Sequence, residues 1–176
     1  MEKRAKLIAC FRVLGFHFNK NEFTDRLIAQ KVACLLELKG MDTGYPCNIY
    51  VRGPYSPELT QDLFEYSDEF SKLKTDASLN ERESTIVKDL KKIFKMKPIF
   101  LEIGSTYGYF IKYSHCDPSE AVKLLKRLKP FYSEADIAVG VSKAKEFLFE
   151  PTEEDFKQLK KETEAWQRAS LSSLRQ

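Results

Sequence analysis

The chain has 176 residues, of which 43% are apolar and 31% charged, and it carries a formal net charge of +3. That length can bury a sizeable core, and that composition excludes a disordered or fibrous polypeptide. The charge falls well short of the strongly basic footprint of a dedicated nucleic-acid module, and no run approaches the roughly 20 uninterrupted apolar residues of a membrane span.

Taken in chain order, Leu7, Ile8, Phe11, Leu14 and Phe18 recur at helical spacing and predict a first amphipathic helix over residues 3–18. A second helix starts at Thr24 or Asp25, turns Leu27, Ile28, Val32, Leu35 and Leu36 inward, and stops at Gly40, which suits a left-handed cap. GMDTGYP reads as a loop. CNIYV is β-branched and aromatic but short, so it is either one brief strand or extended chain, ended by Gly53-Pro54. Ser56 then has the chemistry of an N-cap, Pro57 fits the first helical position, and Glu58 suits the positive end of the helix dipole. Leu59, Leu63 and Tyr66 share one side of the helix that follows.

Asn80 with Glu83 is a capping-box pattern for a helix bearing Ile86, Val87, Leu90, Ile93 and Phe94. Lys88, Lys91, Lys92 and Lys95 fall opposite that stripe as a solvated basic face; a phosphate-binding face is the alternative. PIFLEIGSTYGYFIKY, residues 98–113, is apolar on nearly every side and reads as a central buried helix, with a strand as the alternative that its two glycines and aromatic residues leave open. Start signals repeat at Asp117-Pro118-Ser119-Glu120, Ser133-Glu134-Ala135-Asp136 and Thr152-Glu153-Glu154-Asp155, each opening a further helix. The last of these carries Phe156, Leu159, Thr163 and Trp166 along a stripe and runs into a polar, frayed end. The expected fold is mainly α: a compact bundle of about eight helices with one short extended segment or hairpin before a Gly-Pro turn. Residues 1–150 form a single helical domain in this reading, and residues 151–176 an amphipathic helix with its tail.

Signatures of catalysis are missing: there is no Gly-rich phosphate loop, HExxH pair or nucleophile elbow. Cys10, Cys34, Cys47 and Cys116 are scattered without a CxxC pair, and only His17 and His115 could join them, so the expected protein binds no metal, has no disulfide and needs no cofactor. The absence of a small-residue cleavage site near the start makes the cytoplasm the expected compartment. Glu102 stands apart from the other acids, because it lies inside an apolar helix where an unpaired carboxylate demands a partner or a proton. Gly53, Pro54 and Ser56 are explained by a turn and a helix cap. Arg52 and Tyr55 are not, and an arginine between aromatic residues beside a rigid loop has the composition of a recognition spot or a buried ionic link. One arrangement has Arg52 meet Glu102 and leave Tyr55 at the surface for a partner; in the alternative both side chains reach solvent or satisfy backbone groups.

IYVRGPYSPELTQDLFEY, preceded by DRLIAQKVACLLELKG and followed by FLEIGSTYGYF and LKRLKPFYSEADI, resembles the YwgA-like group of prokaryotic proteins and, more distantly, the Panacea (SocA-like) antitoxin domain. The likeness covers residues 24–150; Gly53, Pro54 and Ser56 match its turn and Glu102 the acid of its later helix. It implies a mostly helical domain acting through protein contacts in antitoxin or defence settings, with no catalytic residue to carry over. The resulting expectation is a non-enzymatic interaction module whose partner is a toxin or another defence component. A DNA-binding regulator using the basic helix is the alternative, and self-association through the tail is a further option.

Overall fold

The computed structural model describes residues 2–51 and 53–150, together with six positions between 153 and 164. Among the described residues the protein has eight helices and one two-stranded antiparallel hairpin. The elements run α1 (Lys3–Leu14), α2 (Phe23–Leu38), β1 (Asn48–Tyr50), β2 (Gly53–Tyr55), α3 (Pro57–Glu65), α4 (Ser67–Lys72), α5 (Glu81–Phe94), α6 (Pro98–Lys112), α7 (Pro118–Leu128) and α8 (Glu134–Leu148).

Helix α6 is the axis of the fold, packing most extensively on α8 and α2. Its run from Leu101 to Gly108 is buried on every side, which matches its apolar sequence. Helices α6 and α8 approach closely because glycines stand at their contact: a Cβ on Gly140 of α8 would lie 2.4 Å from Ile103 Cγ2. The buried apolar residues form one cluster reaching from Leu7 to Leu148.

The capping signals act as the sequence suggests. Asn80 and Glu83 form a reciprocal capping box on α5, Asp117 accepts from the backbone of Ser119 and Glu120, and Ser133 accepts from Asp136. Other boundaries differ. Helix α1 ends at Leu14 and not at residue 18, because Gly15 turns left-handed (φ 67°) and its N–H closes on the Arg12 and Phe11 carbonyls; Phe18 is buried all the same. The helix opened by Ser56 breaks at Tyr66, and a short second helix, α4, follows it. The start at Thr152 and the stripe residues Phe156, Leu159 and Trp166 lie outside the described residues.

The extended segment is a hairpin, and Gly53-Pro54 is not its turn. Register pairs Asn48 with Tyr55, Ile49 with Pro54 and Tyr50 with Gly53, so the chain reverses between Tyr50 and Gly53, and Gly53 and Pro54 belong to the second strand. Pro54 is tolerated there because a two-stranded ribbon consists of edges alone.

Candidate functional site

Strand β2 is held from beneath by side chains. Gln30 of α2 faces Ser56: its Oε1 accepts from the Ser56 N–H at 2.9 Å, and its Nε2 donates to the Ser56 carbonyl at 2.9 Å and to Thr60 Oγ1 at 2.8 Å. The amide thus supplies what a third strand would have supplied to an edge residue. The next residue, Lys31, donates from Nζ to the Pro54 carbonyl at 2.7 Å. Gly53 sits against α6 with φ 93°, and a Cβ there would lie 2.6 Å from Thr106 Oγ1, so both backbone conformation and close approach require glycine. Ser56 caps α3, its Oγ accepting from the Leu59 N–H at 3.4 Å. Tyr50 and Tyr55 stack edge to face with centroids 5.4 Å apart.

Below the hairpin lies a polar cluster. Glu102, buried in α6, accepts from Lys129 Nζ on one oxygen and from the Tyr132 hydroxyl on the other. Lys129 and Lys31 are each only 2% exposed. Burial pushes the Lys31 ammonium down to about 8, with Glu102 opposing that shift and Lys129 adding to it. Burial and the neighbouring Glu102 carboxylate push the Tyr132 phenol well above its ordinary range. The carboxylate that the sequence marks as needing a partner therefore has two. The expected link of Arg52 to Glu102 lies outside the described residues.

Two clefts open above this cluster and share Phe23, Leu27 and Val51. One, of about 490 Å³, runs along α2, the hairpin and α3, with Lys31, Gln30 and Thr60 in its lining beside Tyr55, Leu63 and Phe64. The other, of about 510 Å³, is lined by Glu102, Lys129 and Tyr132 with Leu128 and Phe131. Together they make one apolar groove with polar groups in its floor. Its rim gathers six of the nine exposed large apolar side chains among the described residues: Phe23, Tyr50, Val51, Phe64, Leu128 and Phe131. Val51 is 91% exposed and Phe131 69%, an unusual concentration for a surface meant only for water.

Of the residues singled out from sequence, Gly53, Tyr55 and Glu102 line the groove, while Pro54 and Ser56 are buried supports of it. Lys88, Lys91, Lys92 and Lys95 are exposed on or just after α5, on an element that contributes nothing to the groove. Gln30, Lys31, Lys129 and Tyr132 were not foreseen. One signal existed: Lys31 falls four residues after Leu27 and four before Leu35, on the inward stripe of α2. Nothing comparable marks Lys129. No described helix is long and apolar enough to cross a membrane. The chain matches no family model, no curated protein and no solved structure.

Proposed function

We propose that the protein is a non-enzymatic interaction module that binds an apolar segment of a protein partner in this groove. The observation that carries the reading is the gathering of most exposed large apolar side chains around a single concave site. Aromatic residues at a rim and polar groups in a floor are the composition of protein recognition, in which a few large side chains contribute most of the affinity. The resemblance to YwgA-like and SocA-like proteins supports an antitoxin or adaptor role in a prokaryotic defence setting, with the cytoplasm as its compartment. An enzymatic role has less support, since the buried titratable groups at the floor are engaged with one another and with backbone carbonyls.

The test is a selection of displayed dodecapeptides on the full chain, counter-selected on Val51→Asp. Val51 is almost wholly exposed, so the substitution leaves the fold unchanged while placing a carboxylate on the rim that both clefts share. Selected peptides should be rich in Leu, Phe and Trp and should bind the variant at least tenfold more weakly. Failure to select any peptide sensitive to Val51→Asp sinks the reading. The exposed lysines of α5 favour the second reading, a DNA-binding regulator, which is tested separately below.

A further inference from the structure

The hydrogen bonds that the groove walls have already made limit what can lie between them. Strand β2, which lines the groove at Gly53 and Tyr55, is paired with β1 along one edge. Along its other edge the backbone is taken up by α2: the Pro54 carbonyl accepts from Lys31, and Gln30 holds both the N–H and the carbonyl of Ser56. The remaining edge of the hairpin is that of β1, whose central residue Ile49 is absent from the described lining. An extended segment pressed into the groove would hide N–H and carbonyl groups from water with no strand edge to receive them. A helix bonds its own backbone internally and brings only side chains to the walls.

The walls have the form that receives a helix. Phe23 and Leu27 stand one turn apart on α2, and Leu63 and Phe64 of α3 line the same cleft, so two helical ridges border the space into which the side-chain ridge of a third helix packs. Charge adds a second requirement. Of the four charged residues in the described lining, Lys31, Glu102 and Lys129 are buried and Arg26 is partly exposed. The Arg26 guanidinium donates from Nη1 to the Lys20 carbonyl at 2.5 Å and lies 5.7 Å from the Phe23 ring centroid, which places it on the cleft wall. Its Nε and Nη2, the two donors that hold a carboxylate side-on, have no acceptor among the described residues, and no described carboxylate pairs with it.

We infer that the occupant of this groove is an amphipathic helix of the protein partner, packed by its apolar stripe between α2 and α3 and carrying on its flank a carboxylate that pairs with Arg26. The inference rests on the groove being a peptide site and adds the shape and charge of its occupant. A dodecapeptide helix is about 18 Å long and so spans the α2 wall from Phe23 to Lys31, roughly 12 Å. The alternatives fit less well: an extended segment finds no open strand edge in the groove, and a basic helix would set its cations against Arg26.

The probes are the dodecapeptides selected for sensitivity to Val51→Asp, resynthesised in altered forms and measured by fluorescence anisotropy. A proline at a central polar position should weaken binding at least tenfold, and a lactam joining two polar residues four apart, which fixes a helix, should strengthen it severalfold. One acidic position should stand out, its amide form binding about tenfold more weakly to the unaltered protein, as suits the loss of a bidentate charge-assisted pair. In Arg26→Gln, which keeps the helix propensity of α2, acid and amide forms should bind alike, with circular dichroism confirming a folded variant. Peptides that tolerate the proline and lose binding with the lactam are extended; they overturn the helix and leave the groove reading standing. Acid and amide forms that bind the unaltered protein alike, or an acid preference that survives Arg26→Gln, overturn the pairing with Arg26. Self-association of the full chain that Val51→Asp abolishes would make a second copy the occupant and overturn the partner helix. Absence of any groove-dependent peptide removes both readings.

Discussion

A lysine ammonium taken out of water loses hydration, and Lys31 shows the consequence in its proton affinity. The ordinary lysine value is near 10.4, whereas burial brings Lys31 to about 8. Below pH 8 both folded and unfolded chains hold this proton, and the folded state bears the full cost of the buried charge. Between about pH 8 and 10 the unfolded chain keeps a proton that the folded chain releases, so the contribution of Lys31 to stability rises with pH, by about 2 kcal/mol across that window. Burial also lowers Lys112, which acts with the same sign, and raises the Cys10 thiol, which keeps a proton that the unfolded chain loses and so acts with the opposite sign; both are common to every variant, so the informative quantity is the difference between the unaltered protein and Lys31→Met. Above pH 10 stability should fall with pH, because Tyr45 and Tyr132 are pushed up in the fold and hold protons that the unfolded tyrosines lose. Urea denaturation at pH 8 and pH 10 checks this. A Lys31→Met variant gaining as much between the two pH values as the unaltered protein would exclude Lys31 as the source.

Among the elements, the contact between α6 and α8 sets how little room the core has. Gly140→Ala would gain about 1 kcal/mol in helix propensity, yet its Cβ would stand 2.4 Å from Ile103 Cγ2 and 2.7 Å from Ile103 Cβ. The second distance decides the sign, because a Cβ is fixed to its helix and rotamer change cannot move it away. Overpacking of this kind costs about 1–3 kcal/mol or more, so we expect a net loss of about 1–2 kcal/mol and a fall in Tm of several degrees. A Tm equal to or above that of the unaltered protein would mean that the helices separate freely. The elements also show what a sequence can say about itself. The starts of α3, α5, α7 and α8 were legible because Ser56, Asn80, Asp117 and Ser133 act on donors two or three residues away. The break between α3 and α4 was not, because it depends on distant partners: the Arg4 guanidinium lies 3.7 Å from the Tyr66 ring centroid, and Phe70 is fully buried beyond it. Gly53-Pro54 misled by chemistry, since a dipeptide common in turns serves here as a strand pressed on Thr106.

Across the whole molecule, the groove could not be read from the sequence because its walls come from Phe23 through Phe64 and from Leu128 through Tyr132, with Glu102 of α6 between them in the chain. The acid of α6 announced that a partner must exist but not which residue, and only folding placed Lys129 and Tyr132 beside it. The same separation divides the two functional readings between different elements, so they can be tested independently. Lys88, Lys91, Lys92 and Lys95 are exposed on or just after α5, and replacing all four by Glu, a change of two units each, takes the net charge from +3 to −5. At the C-terminal end of a helix these lysines complement the dipole, so the variant should lose about 1 kcal/mol and remain folded. If DNA were the partner, four phosphate contacts would give a log–log salt slope of about −3.6, or about a hundredfold loss of affinity between roughly 50 and 200 mM salt, and the variant would abolish binding. Under the groove reading, a selected peptide carrying no charge should bind the unaltered protein and the variant within about twofold of each other and show little salt dependence, because exposed charges beyond about 10 Å are screened. Binding of a double-stranded DNA probe with the steep slope, lost on charge reversal while Val51→Asp has no effect, would replace the peptide-binding module with a DNA-binding regulator.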